Sequence, residues 1–395
     1  MVLSVIMYKK MEISNTEIAL YTSWLYLPWV IKPFWSPVVD LIKSKRMWVL
    51  STQLIISIAP AGVAFTIPAN NFFQITLAFF WLMAFASATH DIAADGFYML
   101  ALPEKGQAFF VGIRSTFYRI GMITGQGLLT ILAGNLEEYF GDIHKAWSYT
   151  IFTASAIYFC VFIYHLFQIP KPEDDKPREN FGKFWADFIF TFKSFFQKKG
   201  IVLTLLFLLL YRLSEGQLVK LASPFLLDET SMGGLGLSTA NVGLIYGTIG
   251  ILALVLGGIL GGWAISSKGL KYWIWVMLVA INIPNGLYAL LAFFQPDSII
   301  LISLSVAIEQ FGYGFGFTAY MMYMIYISEG EFKTSHFAIS TGLMALGMMI
   351  PGLFSGWLQE LLSYKIFFIW VLISAVPIFI VTYFLKIDEN FGKRD

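Results

Sequence analysis

The chain has 395 residues, of which 57% are hydrophobic and 13% charged, and its mean hydropathy is +0.70. A soluble domain carries charges on about a quarter of its residues, so water is not the main solvent here, and a net charge of +1 offers no basic surface for nucleic acid. The single cysteine, Cys160, makes neither an internal disulfide nor a cysteine-based zinc site. His90, His144, His165 and His336 show no ligand spacing and no phosphate-loop motif is present, so no cofactor, no metal and no ATP hydrolysis are expected.

A helix crossing the hydrocarbon core needs about 20 residues. The stretch Met1 to Tyr8 is apolar but too short to cross, and it lacks the basic start and cleavage site of a signal peptide; it reads as the tail of a span. Eleven runs are then long enough: 16–39, 47–67, 72–101, 106–134, 146–168, 201–228, 237–266, 271–294, 298–328, 333–358 and 363–386. The expected fold is an all-α polytopic membrane protein with eleven full spans, and twelve if the first were whole.

Ionisable residues within those runs carry the functional signal, because each costs at least a few kcal/mol unless paired or hydrated. The first run holds Lys32 among Pro28, Pro33 and Pro37, which mark kinks. The third holds Asp91 and Asp95, four apart on one helix face, and the fourth holds Arg114 and Arg119. At about 1.5 Å per residue, Lys32, Asp91, Asp95 and Arg114 fall at similar depth, so the two bases are the expected counter-charges. His90 points about 100 degrees away from Asp91 and reads as a packing residue. In the sixth run Arg212 precedes Glu215 by three residues, within ion-pair reach, and Lys220 follows. Glu309 lies near the middle of the ninth. Burial without a counter-charge disfavours the ionised form of a carboxylate, the property a coupling group needs. Asp91, Asp95, Glu215 and Glu309 are therefore the proton-coupling candidates, Glu309 and Asp91 first. Lys32, Arg114, Arg119, Arg212 and Lys220 are candidates for charge pairing or for holding an anionic substrate group. Gly121, Gly125 and Gly127, and Gly257, Gly258, Gly261 and Gly262, are expected to pack helices closely, and Pro351 to kink the tenth run.

Between residues 169 and 199 the sequence turns polar, with Pro170-Lys171-Pro172-Glu173-Asp174-Asp175-Lys176-Pro177. Phe181, Phe184, Trp185, Phe188, Ile189, Phe192 and Phe196 then recur at helical spacing, which predicts a helix lying in the membrane interface. The chain thus divides into 1–168, a linker at 169–199, and 200–395. Lysines and arginines gather in alternate connections, including Lys43, Lys45, Arg46, Lys105, Lys268, Lys271, Lys333, Lys386, Lys393, Arg394 and seven bases between Lys171 and Lys199, against Lys9, Lys10, Lys145 and Lys365 on the other side. This asymmetry predicts a cytoplasmic linker and C-terminus. Two weak internal matches share one register: Trp48 with Trp273 (273 − 48 = 225) and Gly121 with Gly347 (347 − 121 = 226). They predict two six-helix halves, the first helix mostly absent.

The run Leu27-Pro28-Trp29-Val30-Ile31-Lys32-Pro33-Phe34-Trp35-Ser36-Pro37-Val38-Val39-Asp40, with Lys45-Arg46-Met47-Trp48, resembles the second-helix signature of AmpG-type permeases. Thr89-His90-Asp91-Ile92-Ala93-Ala94-Asp95 resembles their fourth-helix motif, and Tyr211-Arg212-Leu213-Ser214-Glu215 extends the likeness. The family also includes acetyl-coenzyme A transporters. The resemblance implies a major facilitator fold with alternating access, Lys32, Asp91 and Asp95 as motif positions and, for the bacterial members, proton-driven uptake of anhydro-muropeptides. After the second aspartate, where those permeases show a basic residue, this chain has Gly96-Phe97-Tyr98, so another amino sugar or oligosaccharide is open as cargo. The expected protein is a monomeric secondary transporter in a bacterial inner membrane, moving a small solute with protons. The alternatives are export or an acyl-coenzyme A cargo on the same fold and, from another class, a receptor or membrane enzyme, for which no sensory domain or catalytic constellation is found.

Overall fold

The structure, a computed structural model, describes residues 2–101, 113–114, 116–172, 175, 181–330 and 332–394. Met1, Lys105, Glu173, Asp174, Lys176, Pro177, Arg178 and the start of the run 106–134 lie outside the described residues, as do the side chains of Pro37, Val38, Asp40, Phe181, Phe184, Trp185 and Phe188. Every regular element among the described residues is helical. Among the described residues eight helices are long and apolar enough to cross a membrane, and the last, Ser335–Phe384, has 50 residues. That length is about 75 Å of helix, twice a crossing and more. Ser363, at φ 62°, breaks it into two runs.

The N-terminal helices are α1 (Val2–Lys10), α2 (Asn15–Trp24), α3 (Leu27–Ile42), α4 (Lys45–Thr66), α5 (Phe72–Ala101), α6 (Leu129–Phe140) and α7 (Ile143–Gln168). Their starts are set by polar caps: Ser14 accepts from the Glu17 amide, Ser44 from Met47 and Asp142 from Lys145. The expected first run, 16–39, is two helices. The chain turns at Leu25 and Tyr26, which leaves Pro28 in the first turn of α3, where its missing N–H costs no helical hydrogen bond. The helix then continues past Pro33 to Ile42.

The linker contains α8 (Phe181–Phe196), and after it come α9 (Ile201–Leu210), α10 (Leu213–Leu227), α11 (Thr239–Leu244), α12 (Ile251–Lys268), α13 (Leu270–Asn282), α14 (Gly286–Phe294), α15 (Ile299–Ser328), α16 (Lys333–Ser374) and α17 (Val376–Phe384). The sixth run is likewise broken, at Tyr211 and Arg212. Two π turns, Ile123–Leu128 before α6 and Ile245–Gly250 after α11, meet face to face. A Cβ on Gly247 would stand 1.9 Å from the Gln126 carbonyl, so only glycine allows this approach.

The cores show where the molecule is closed. One core joins N-terminal residues Tyr8, Val63 and Trp147 to C-terminal residues Leu221, Phe225 and Phe368. The other two stay within one part each: Val39, Val49, Ile92 and Ala93 in the first, and Phe207, Tyr211, Met277, Tyr320 and Ile378 in the second. Among the described residues the bundle is therefore sealed across at the end that carries Lys9, Lys10 and Lys145, while the cores toward the lysine-rich end stay separate. This corrects the packing expectation for some glycines. Gly127, Gly257 and Gly261 lie against neighbouring backbone, but Gly121, Gly125 and Gly262 have no described atom within 4 Å of an added Cβ, and Gly258 has only the Gly314 carbonyl at 3.8 Å.

Candidate functional site

Two groups of charges occupy the region between the N- and C-terminal helices, and they differ in solvation. In the first, α3 and α5 face each other so that Lys32 donates to Asp91. Arg114 reaches Asp95 at 2.5 Å and Asp91 at 3.9 Å, and its guanidinium lies 5.9 Å from the Tyr98 ring. Asp91, Asp95 and Arg114 are 41%, 47% and 49% exposed. Charges that are both paired and wet cost little, so this group can persist in any state that keeps it hydrated. Gln53 joins His90 at 3.1 Å and His165 at 2.9 Å, which fixes His90 on the α4 side, away from the aspartates. Gly96 lies under Lys45, whose Cδ would be 2.6 Å from a Cβ at that position.

The second group is dry. Arg212, Glu215, Lys220 and Glu309 are each less than a tenth exposed. The break between α9 and α10 places Arg212 at the helix start, in a non-helical conformation. This overturns the expected Arg212 to Glu215 pairing, since three-residue spacing implies contact only in an unbroken helix. Arg212 instead donates to the Tyr313 hydroxyl at 2.5 Å and lies 5.1 Å from the centre of the Phe317 ring, both on α15. Among the described residues, neither carboxylate oxygen of Glu215 nor the Nε of Arg212 has a hydrogen-bond partner. Lys220 donates to Thr22 on α2 at 3.0 Å and sits 5.2 Å from the Tyr26 ring centre. Glu309 accepts from its neighbour Gln310 at 3.0 Å. The sealed Thr22 to Lys220 contact joins the N-terminal part to the C-terminal part. Arg119 is half-buried on the helical stretch 116–122.

An isolated ion in a dry interior costs several kcal/mol even after relaxation. The second group thus holds two buried acids and two buried bases with no ion pair within 4 Å among the described residues, and Glu215 lacks any hydrogen-bond partner as well. Such a site can lower its energy by accepting protons on the acids, or by taking in a solute with complementary charge.

A third set of polar contacts closes the sealed end. Lys9 pairs with Asp228 at 2.7 Å, Tyr364 donates to the same carboxylate at 2.6 Å, and Asn15 bridges Gln359 at 2.6 Å and Tyr364 at 2.8 Å. Glu137 accepts from Trp147 and from Thr239, with Lys10 at 3.5 Å. The sequence did not single out Asn15, Glu137, Asp228, Gln359 or Tyr364 as site residues. Asp228 alone carried a signal, an acid at the last position of an apolar run.

The sequence profile of the Major Facilitator Superfamily matches residues 1–329. The chain belongs to this superfamily. The transporter is 25% identical over 378 residues to the Anhydromuropeptide permease of Escherichia coli K12, covering 93% of this chain and 73% of the permease. It is also 25% identical over 394 residues to the Putative transporter AmpG 4 of Rickettsia conorii, covering 95% and 90%. Among solved structures, a mutant of nucleoside transporter NupG superposes with a TM-score of 0.74 at 15% identity, covering 98% of this chain and 94% of that one. A bacterial homologue of the lysosomal transporter Spinster gives 0.65 at 16%, covering 97% and 92%. The family match and the relatives make this a multi-pass membrane transporter of the Major Facilitator Superfamily, similar along nearly its whole length to the AmpG-named proteins.

Proposed function

We propose that the protein imports a peptidoglycan-derived or other amino-sugar or oligosaccharide solute together with protons, by alternating access. The observation that carries this reading is the dry group: Glu215 with both oxygens unpartnered, beside Arg212 and Lys220 with no carboxylate partner among the described residues. In this reading Glu309 and Glu215 carry the coupled protons, and Arg212 and Lys220 meet an acidic group on the solute. Asp91 and Asp95, held by Lys32 and Arg114, receive or release the proton at the open end, with Arg119 on the route between the groups. The relatives named for muropeptide permeation favour that cargo class.

The motion is a rocking of residues 1–168 against 200–395 about the dry group, with the linker at 169–199 joining them on the cytoplasmic side. The cleft would then be open to the cytoplasm. Eleven spans, two related halves, a cytoplasmic C-terminus, a bacterial inner-membrane location and a monomeric state belong to the same reading. Gly96-Phe97-Tyr98, standing where AmpG-type permeases show a basic residue, favours another amino sugar or oligosaccharide as cargo, and an acyl-coenzyme A or an exported compound on the same fold is the second reading.

The test is purified protein in liposomes carrying a pH-sensitive dye, challenged with anhydro-muropeptides, simpler amino sugars and acyl-coenzyme A in turn. Internal acidification on adding one class establishes proton symport and names the cargo class. No pH change, with no labelled uptake under an imposed gradient, sinks the symport reading.

A further inference from the structure

A second cavity, about 380 Å³, opens at the lysine-rich end, away from both charge groups. It lies where the connection between α8 and α9 meets the end of α15 and the chain beyond α17, and its volume is within the roughly 300–1,000 Å³ range of small-molecule sites. Lys198, Lys199 and Lys386 line it, against one acid, Glu329. At its floor the hydroxyls of Thr204 and Tyr323 share a hydrogen bond at 3.1 Å. Lys198 is tied by its ammonium to the backbone carbonyls of Ile327 and Glu329, which places that charge beside the cavity. The first turn of α9 forms part of the wall, and its cap residue, Gly200, has no side chain to satisfy the leading amides. Helix starts of this kind attract anions.

The elements that lead into the cavity carry exposed apolar side chains, Ile189, Phe190 and Phe196 on α8 and Tyr383 and Phe384 just before Lys386. Large exposed apolar side chains beside a basic cavity match the level at which lipid headgroups meet acyl chains. Burial also pushes the Lys198 ammonium below its ordinary range, with Glu329 opposing, so an added negative charge would be favourable there.

We propose that this cavity binds a phosphate-bearing anion, held by Lys198, Lys199, Lys386 and the start of α9, as an accessory site separate from the transport path. The phosphate comes from an anionic phospholipid headgroup or from a soluble phosphate compound, and the shared chemistry is a compact oxyanion on a lysine cluster. The proposal does not depend on the cargo.

The experiment offers delipidated full-length protein phosphatidylglycerol or phosphatidylcholine and counts bound lipid by native mass spectrometry, with and without excess inorganic phosphate. The variant is Lys199→Gln with Lys386→Gln; both side chains are exposed, and Lys198 is kept because it holds two carbonyls. Preferential phosphatidylglycerol binding that falls about thirtyfold in the variant is expected, on the basis of roughly 1 kcal/mol for each of the two lysines removed. Binding that survives inorganic phosphate assigns the site to the lipid, and displacement by phosphate assigns it to a soluble anion. Glu329→Gln should strengthen binding several-fold, a gain that misfolding cannot produce. Equal binding of the two lipids with no phosphate effect, or identical binding by wild type and both variants, overturns the proposal.

Discussion

The two charge groups are built from the same residue types and solve opposite problems. At the open end, Asp91 and Asp95 are met by Lys32 and Arg114 and remain more than 40% exposed. At the centre, Glu215 and Glu309 are 1% exposed, and the nearby bases turn to a tyrosine and a threonine. Wet, paired charges contribute little to stability and little stress, whereas dry, unpaired ones are costly. The difference indicates which group has been retained at a cost to folding, and therefore where removal of a charge should cost transport and help stability.

The comparison predicts effects of graded size. Glu309→Gln should cut accumulation driven by a pH gradient by roughly 100-fold, near the upper end of typical coupling energies, while exchange of labelled for unlabelled solute continues. Wild-type accumulation in this variant would remove Glu309 from coupling. Lys220→Met should do two opposite things. Uptake of an acidic solute falls about tenfold, and the protein gains about 1–3 kcal/mol in a denaturation series, because a dry ammonium is replaced by an apolar chain of similar length. A loss of stability would mean that Lys220 is structurally satisfied. Gly257→Ala should destabilise by about 1–3 kcal/mol, since its Cβ would meet the Phe311 carbonyl at 2.1 Å, whereas Gly121→Ala should be neutral or slightly stabilising. Equal melting temperatures for the two would contradict the close packing of α12 on α15 at Gly257. The smallest effect belongs to Arg114→Gln, within about 1 kcal/mol of wild type in stability, because its ion pairs are half in water.

What could be read from the sequence follows from locality. Lys32, Asp91, Asp95 and Arg114 could be placed at one depth because regular helices convert residue number into height, and the structure joins these four by ion pairs. Arg212 and Glu215 show where that conversion fails. The chain unwinds at Tyr211 and Arg212 with no proline or glycine to announce it, so a spacing of three did not become a contact. The network of Lys9, Asn15, Asp228, Gln359 and Tyr364 was illegible for another reason: Asn15 and Gln359 are 344 positions apart, and neither carries a charge that an apolar run would expose. The reversal at Ser363 also lacks the glycine that usually marks a positive φ. The linker helix was visible because its apolar spacing is local, and Phe181–Phe196 is helical.

The attachment of the linker has a mechanical consequence. The Asp175 carboxylate accepts from the backbone amides of Lys45 and Arg46 at 2.7 and 2.9 Å, and the Arg46 guanidinium holds the carbonyls of Leu166 and Ile169. The first third of the linker is thus fastened to the start of α4. On the far side, α8 is seated on α16 through Ser194 and His336. The same helix also touches the N-terminal part, where Phe192 stacks on Phe34 of α3 at 5.4 Å between ring centres. Helix α8 therefore bridges α3 and α16, and separating those two helices at the lysine-rich end would have to part either the Phe192 to Phe34 stack or the Ser194 to His336 bond.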